Sequence, residues 1–66
     1  MWKSDKQLYN ECIRARALDY IKNHEGKPVI EYIEFNSGPV LQTWMVKMGI
    51  QQVCDDLELM IIEEKT

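Results

Sequence analysis

The segment from Pro39 to Gly49 constrains the fold most, because its two ends define where one short helix begins and stops. Proline suits the first position of a helix, and glycine suits the position just past its end. Between them, apolar residues recur at spacings of three and four, which places them on one helical face: Leu41, Trp44, Met45 and Met48. The sequence therefore predicts a helix over residues 39–48 that packs this face against a core.

A first, longer helix is predicted by the sequence Ser-Asp-Lys-Gln at residues 4–7. The serine and the glutamine of this pattern can bond to each other's backbone N–H groups, which forms a capping box. Gly26 is a natural C-terminal stop, and Pro28 prevents easy continuation. We expect this helix to run from Asp5 to His24.

Residues 28–35 are ambiguous between helix and strand. Their β-branched and aromatic side chains favour a strand. In a strand, however, Glu31 and Glu34 would lie on opposite faces, which leaves neither face apolar. In a helix, they share one face with Lys27, and the apolar residues share another. We favour a helix for this segment.

The C-terminal tail, residues 51–66, is also ambiguous between strand and helix. Asp55-Asp56 can form a turn between two strands, and the run Leu59 to Ile62 is apolar on both faces, as a partly covered strand would be. The rival structure is a fourth helix that begins at Asp55, with Glu58 at its third position. Leucine and methionine are good helix formers, so propensity leaves both structures open. We favour the hairpin.

These elements predict one α+β domain over residues 1–66, in which three helices are followed by a C-terminal β-hairpin. The alternative is an all-α domain of four helices. A chain of 66 residues leaves much of its surface exposed, so its core is marginal. Association into a homodimer is a common way for such a chain to cover the remaining apolar surface.

Charge is distributed unevenly along the sequence. Residues 1–27 carry six Lys and Arg against four Asp and Glu, a net charge of +2, whereas residues 28–66 carry two against seven, a net charge of −5. A protein gains most of its affinity for DNA by neutralising phosphates. The acidic part therefore disfavours DNA binding unless the first helix or a second copy supplies a positive face.

Residues that usually carry catalysis or bind metals are sparse. We expect His24, at the predicted end of the first helix, to be a surface residue, because no nucleophile motif adjoins it. Cys12 and Cys54 form no CxxC pair, so we expect two buried free thiols. The adjacent carboxylates at residues 55–56 and 63–64 diverge rather than converge on an ion. We expect no enzyme activity, no cofactor and no metal.

We expect no signal peptide, because the first four residues lead straight into a polar helix start, and no apolar run approaches the length of a membrane span. We therefore expect a cytoplasmic protein that binds no membrane.

A short helix, a tight turn with glycine and an apolar-faced helix follow one another in the order of a helix-turn-helix. The segment 39–50, PVLQTWMVKMGI, resembles the recognition helix of small helix-turn-helix regulators of the phage and mobile-element type. Those helices often combine a Ser-x-Pro start, a central Trp and a Leu/Met-Gly-Ile ending. With the hairpin as a wing, residues 27–62 resemble a winged helix-turn-helix. The resemblance implies a small DNA-binding transcriptional regulator whose recognition helix is residues 39–48.

The resemblance also implies which residues would contact double-stranded DNA. The groove-facing side of the recognition helix would carry Val40, Gln42, Thr43, Val46 and Lys47. Gln42 would pair with adenine, Thr43 would touch a phosphate or a thymine methyl, and Lys47 would bind phosphate. Further phosphate contacts would come from the first helix: Arg14, Arg16 and Lys22.

A second hypothesis about function follows from the negative net charge of the chain. The recognition-like helix carries one basic residue, Lys47, and the tail would turn Asp55, Asp56 and Glu58 toward DNA. Exposed apolar groups rimmed by charge mark protein-interaction sites. The alternative function is therefore an acidic, phage-type protein-binding module that inhibits a host protein, or a dimerising interaction domain.

Overall fold

The computed structural model describes residues 2–66 and contains four α-helices in that range. α1 spans Asp5–Asp19, α2 spans Val29–Asn36, α3 spans Gly38–Met48 and α4 spans Ile50–Lys65. A π-helical turn, Tyr20–His24, extends α1. Residues 2–66 contain no strand, so the α+β prediction is wrong and the all-α alternative is confirmed.

The predicted C-terminal hairpin is wrong, and the wing of the winged helix-turn-helix is wrong with it. The tail is one helix, and three inward residues spaced by four are buried in it: Val53, Leu57 and Ile61. Asp55-Asp56, the predicted turn between strands, lies inside this helix. The alternative prediction of a fourth helix is confirmed, but α4 begins at Ile50 rather than at Asp55.

The predicted capping box starts α1. The Gln7 backbone N–H donates to Ser4 Oγ at 3.2 Å, and the Ser4 N–H donates to Gln7 Oε1 at 2.8 Å. Two N–H groups that a helix start leaves unpaired are thus satisfied. The prediction of a helix from Asp5 to His24 is confirmed by α1 and its π-helical turn, and the preference for helix over residues 28–35 is confirmed by α2.

The predicted helix over residues 39–48 is confirmed by α3, which ends at a glycine. Gly49 has φ 88°, a backbone conformation that other residues rarely adopt, and its N–H donates to Met45 O at 2.9 Å. On the face predicted to pack inward, Leu41 is fully buried, whereas Trp44 and Met45 are half-buried. Met48 is 38% exposed, so its assignment to the core is wrong.

One hydrophobic core joins the four helices, and α4 contacts each of the other three. A fully buried leucine or isoleucine side chain contributes roughly 1.5–3 kcal/mol to folding. The buried residues come from every helix: Tyr9, Ile13, Ala17, Tyr20, Tyr32, Ile33, Leu41, Val53, Cys54, Leu57 and Ile61. The tail helix is therefore the element around which the fold is organised.

α1 and α4 lie side by side and run in the same direction, because Tyr9 contacts Asp56 and, farther along both helices, Arg14 contacts Glu64. The buried Ser37 is the whole connection between α2 and α3. A helix-turn-helix uses a turn of about three or four residues at this point. The connection in this chain is thus shorter than the resemblance implied.

Candidate interaction surface

The five residues predicted to face a partner lie on the outer side of α3 and are all exposed: Val40, Gln42, Thr43, Val46 and Lys47. They point away from Leu41, which the core buries completely. The fold therefore brings the predicted residues together on one side of one helix. We call these five residues the α3 surface.

The α3 surface is apolar or uncharged except at one end. Val40 is 61% exposed and Val46 is 87% exposed. Thr43 Oγ1 donates to Pro39 O at 3.0 Å, so its hydroxyl is already bonded within the helix. Lys47 is the charged member, and its Nζ lies 5.1 Å from the centroid of the Trp44 ring, in a cation–π contact.

Two of the three basic residues predicted to contact phosphate bind groups of their own chain. Arg14 Nε donates to Glu64 Oε1 at 3.1 Å. Arg16 Nη1 donates to Asn36 O at 2.8 Å, at the C-terminal end of α2, where a cation stabilises the free carbonyls. Lys22 lies exposed on the π-helical turn. Arg14 and Arg16 thus face different helices, and both come from α1 rather than from α3.

Titratable side chains converge between the π-helical turn and α2. The Tyr32 hydroxyl donates to Asp19 Oδ2 at 2.7 Å, and Asn23 Nδ2 donates to Asp19 Oδ1 at 3.0 Å. The bond from Tyr32, followed by the bond from Asn23, lowers the pKa of Asp19. Burial, followed by the bond to Asp19, raises the pKa of Tyr32 to about 12.

His24 belongs to the same cluster. Its ring packs on the Tyr32 ring with centroids 4.9 Å apart, and Nε2 lies 3.8 Å from Asp19 Oδ2. Its side chain is 20% exposed, so His24 is only partly at the surface. These contacts tie the π-helical turn to α2, which is a structural role.

Tyr9 links three helices at the opposite end of the core. Its hydroxyl donates to Asp56 Oδ2 at 2.6 Å, and its ring lies 5.1 Å from the Trp44 ring, centroid to centroid. Burial, followed by the bond to Asp56, raises the pKa of Tyr9. Trp44 in turn makes the cation–π contact with Lys47, so α1 also supports one end of the α3 surface.

Two open grooves flank α4. The first, of about 370 Å³, lies between α1 and α4 and is lined by Lys6, Tyr9, Asn10, Ile13, Met48, Asp56, Leu59, Met60 and Glu63. The second, of about 470 Å³, lies between the π-helical turn, α2 and α4. Its residues are Tyr20, Glu25, Gly26, Val29, Glu58, Ile61, Ile62 and Lys65, and Lys65 forms an ion pair with Glu25. Both grooves mix apolar walls with charges of both signs, unlike the α3 surface.

Both cysteines are free thiols; Cys54 is buried, and Cys12 is half-buried. Burial raises the pKa of each thiol, and the carboxylates of Glu58, Asp55 and Glu34 raise that of Cys54 further. Three exposed carboxylates, from α2 and α4, thus lie near the buried Cys54 thiol. We call Glu34, Asp55 and Glu58 the acidic surface.

Within residues 2–66, no three His, Cys, Asp or Glu side chains cluster closely enough to hold a metal ion. None of the helices in this range has both the length and the apolar character needed to cross a membrane. Comparison of the chain with family models, with curated proteins and with solved structures finds no match.

Proposed function

We propose that this domain is a protein-interaction module that binds its partner through the α3 surface. The observation that supports the proposal is the exposure of Val40 and Val46 on one side of α3. The charged residue on this side, Lys47, lies near the C-terminal end of the helix. The centres of protein interfaces are depleted of charged residues, and an exposed apolar patch is typical of a binding site.

Electrostatics favour a protein partner over DNA. A DNA-binding protein gains most of its affinity from phosphate contacts, many of which come from cationic side chains. Arg14 is bonded to Glu64, Arg16 is bonded to Asn36, and Lys47 contacts Trp44, whereas Lys22 lies exposed on a different element from α3. The net charge of −3 adds a repulsive field. Transcriptional regulation through helix 39–48 therefore has less physical support than protein binding.

The valines also account for the strength that such an interface would have. Complete burial of one valine side chain contributes roughly 1.5–3 kcal/mol, and both valines of the α3 surface keep most of their area exposed in the free domain. An aspartate in place of Val46 would remove that contribution and would bury an unpaired charge in the contact. Val46 is the more exposed of the two valines, so it is the position chosen for substitution.

The test is quantitative affinity capture with three forms of the protein. Wild type, Val46→Asp and the matched control Ile62→Asp are compared; Ile62 is 60% exposed on α4. We expect a captured protein that is retained by Ile62→Asp and lost with Val46→Asp, while far-UV circular dichroism shows that all three are folded. Equal capture by the two variants contradicts the proposal.

Titration with duplex DNA tests the competing function directly. If the domain regulates transcription, binding should weaken steeply as salt rises and should be lost in Lys47→Glu. We expect neither effect. DNA binding that shows both would replace the protein-interaction proposal.

A further inference from the structure

We infer that the groove between the π-helical turn, α2 and α4 binds a basic, amphipathic peptide segment of a protein partner. The segment places an apolar side chain in the groove and basic side chains against the acidic surface. This contact lies on other helices than the α3 surface, and it does not rest on the function proposed for that surface.

The groove is apolar where it approaches the C-terminal end of α4. Val29 of α2 lines it together with Tyr20 of the π-helical turn and with Ile61 and Ile62 of α4. The Tyr20 hydroxyl donates to Lys27 O, so the polar end of this ring is already satisfied within the chain. Ile62 is 60% exposed, and most of its side chain is therefore free to be buried against an apolar residue of the partner.

Carboxylates continue this groove along α4. Asp55, Glu58 and Ile62 are spaced by three and four residues, so they form one row on the helix surface, about 10 Å long. Glu58 itself lines the groove. The row thus leads from an exposed apolar residue in the groove to two carboxylates.

α2 lies beside this row and adds a third carboxylate. Val29, at the start of α2, shares the groove with Ile62, near the end of α4, whereas Glu34, near the end of α2, lies near Cys54. The two helices therefore run in opposite directions. Burial is the main cause that raises the pKa of Cys54, and all three carboxylates of the acidic surface raise it further, which shows that their charges converge.

The charge of the acidic surface is not neutralised within the domain. No Lys or Arg of residues 2–66 forms an ion pair with any of its three carboxylates. Lys65, the basic residue of the groove, is paired with Glu25. Asp55 accepts a hydrogen bond from Gln51 Nε2 at 2.9 Å, but this amide is neutral and leaves the charge in place. Because like charges at neighbouring positions repel one another, the surface attracts cationic side chains.

The form of the groove favours a peptide over a small molecule or a nucleic acid. A small-molecule site encloses most of its ligand, whereas this groove is open and continues into a row of exposed charges. An amphipathic helix binds such a groove through side chains spaced by three, four and seven residues. An apolar residue against Ile62, with basic residues four and seven positions along, would match the row. Nucleic acids carry the same sign of charge as the acidic surface and are repelled by it.

Titration with synthetic helical peptides of about four turns tests the chemistry of the ligand. The first peptide carries Leu on one face and Lys beside it, the second has Ser in place of Leu, and the third has Glu in place of Lys. We expect the Leu–Lys peptide to bind and to shift ¹H–¹⁵N signals of residues 29–34 and 55–62. The other two peptides should bind at least roughly tenfold more weakly, because each lacks one half of the contact.

Two variants of equal net charge test the location. Glu58 and Glu63 are both exposed on α4, but Glu63 lines the other groove. Glu58→Lys should weaken binding of the Leu–Lys peptide by roughly tenfold, whereas Glu63→Lys should stay near the wild-type affinity. Glu58→Gln should lie between Glu58→Lys and wild type. Circular dichroism checks that each variant is folded. Equal weakening by the two lysine variants would show attraction by net charge alone and would overturn the inference.

Val46→Asp keeps this contact separate from the α3 surface. The variant should bind the Leu–Lys peptide as wild type does. Shifts centred on residues 40–47, a loss of peptide binding with Val46→Asp, or no binding of the Leu–Lys peptide would each overturn the inference. In the affinity capture, a protein held in this groove would be lost with Ile62→Asp and retained with Val46→Asp, so the two surfaces give opposite results.

Discussion

The Tyr9 hydroxyl donates a hydrogen bond to the Asp56 carboxylate at 2.6 Å and so joins the first turns of α1 to the middle of α4. Tyr9 also packs against Trp44 of α3. Three helices therefore meet at one side chain. Because Trp44 in turn contacts Lys47, the position of the α3 surface depends on this junction.

Tyr9→Phe should destabilise the domain by about 1–2 kcal/mol, because it removes the bond to a charged, half-buried partner and keeps the ring packing. Urea unfolding followed by circular dichroism measures the change. In a double-mutant cycle with Asp56→Asn, the double variant should lose less than the sum of the two single variants. Additive losses would show that the bond contributes little.

Stability should fall at alkaline pH because Tyr9 and Tyr32 hold their protons more tightly in the folded protein. Burial raises the pKa of both phenols above 10.0, and to about 12 for Tyr32. Their contribution is complete below pH 10.0, the unfolded value, and is lost as pH rises toward the folded pKa. The free energy of unfolding should decrease by up to about 1.4 kcal/mol per pH unit for each phenol. Urea unfolding across this range should give a smaller slope for Tyr32→Phe than for wild type; equal slopes contradict the assignment.

Asp19 gives the opposite dependence at acid pH. The hydrogen bond from Tyr32 is the main cause that lowers the pKa of Asp19 below 3.8. Its contribution is present above the unfolded pKa and is lost as pH falls through the folded pKa. An NMR titration of the Asp19 carboxyl carbon should report a pKa that rises toward its ordinary value in Tyr32→Phe. An Asp19 pKa that is the same in both proteins would show that another group lowers it.

Leu57→Ala and Leu59→Ala distinguish the helical tail from the predicted hairpin. In α4, Leu57 is fully buried and Leu59 is 61% exposed. Leu57→Ala should therefore cost about 2–5 kcal/mol and Leu59→Ala less than about 0.5 kcal/mol. In a strand, the two leucines would lie on the same face and their losses would be similar. Denaturant unfolding of the two variants measures the difference.

The helix boundaries that the sequence predicted correctly depend on local chemistry. The capping box at Ser4 and the glycine at position 49 act through bonds and backbone angles within one turn, so neighbouring residues specify them. The exposed side of α3 was also predictable, because the periodicity that buries Leu41 turns Val40 and Val46 outward. Local pattern was sufficient in these cases.

The tail could not be assigned in the same way because its pattern satisfies two structures. Leu59 to Ile62 is an unbroken apolar run, and only the core determines that Ile61 points inward while Leu59 and Ile62 point outward. The spacing of four from Val53 to Ile61 was the available signal. The bonds from Arg16 to Asn36 and from Tyr9 to Asp56 join distant residues, and one sequence contains no sign of such pairings.

The α3 surface is the proposed contact with a protein partner, and Val46 is its most exposed apolar residue. Affinity capture with wild type, Val46→Asp and Ile62→Asp measures the contribution of this surface, because the two aspartates lie on different helices. We expect the captured protein to be lost with Val46→Asp and retained with Ile62→Asp. Equal capture by the two variants would show that the partner binds elsewhere.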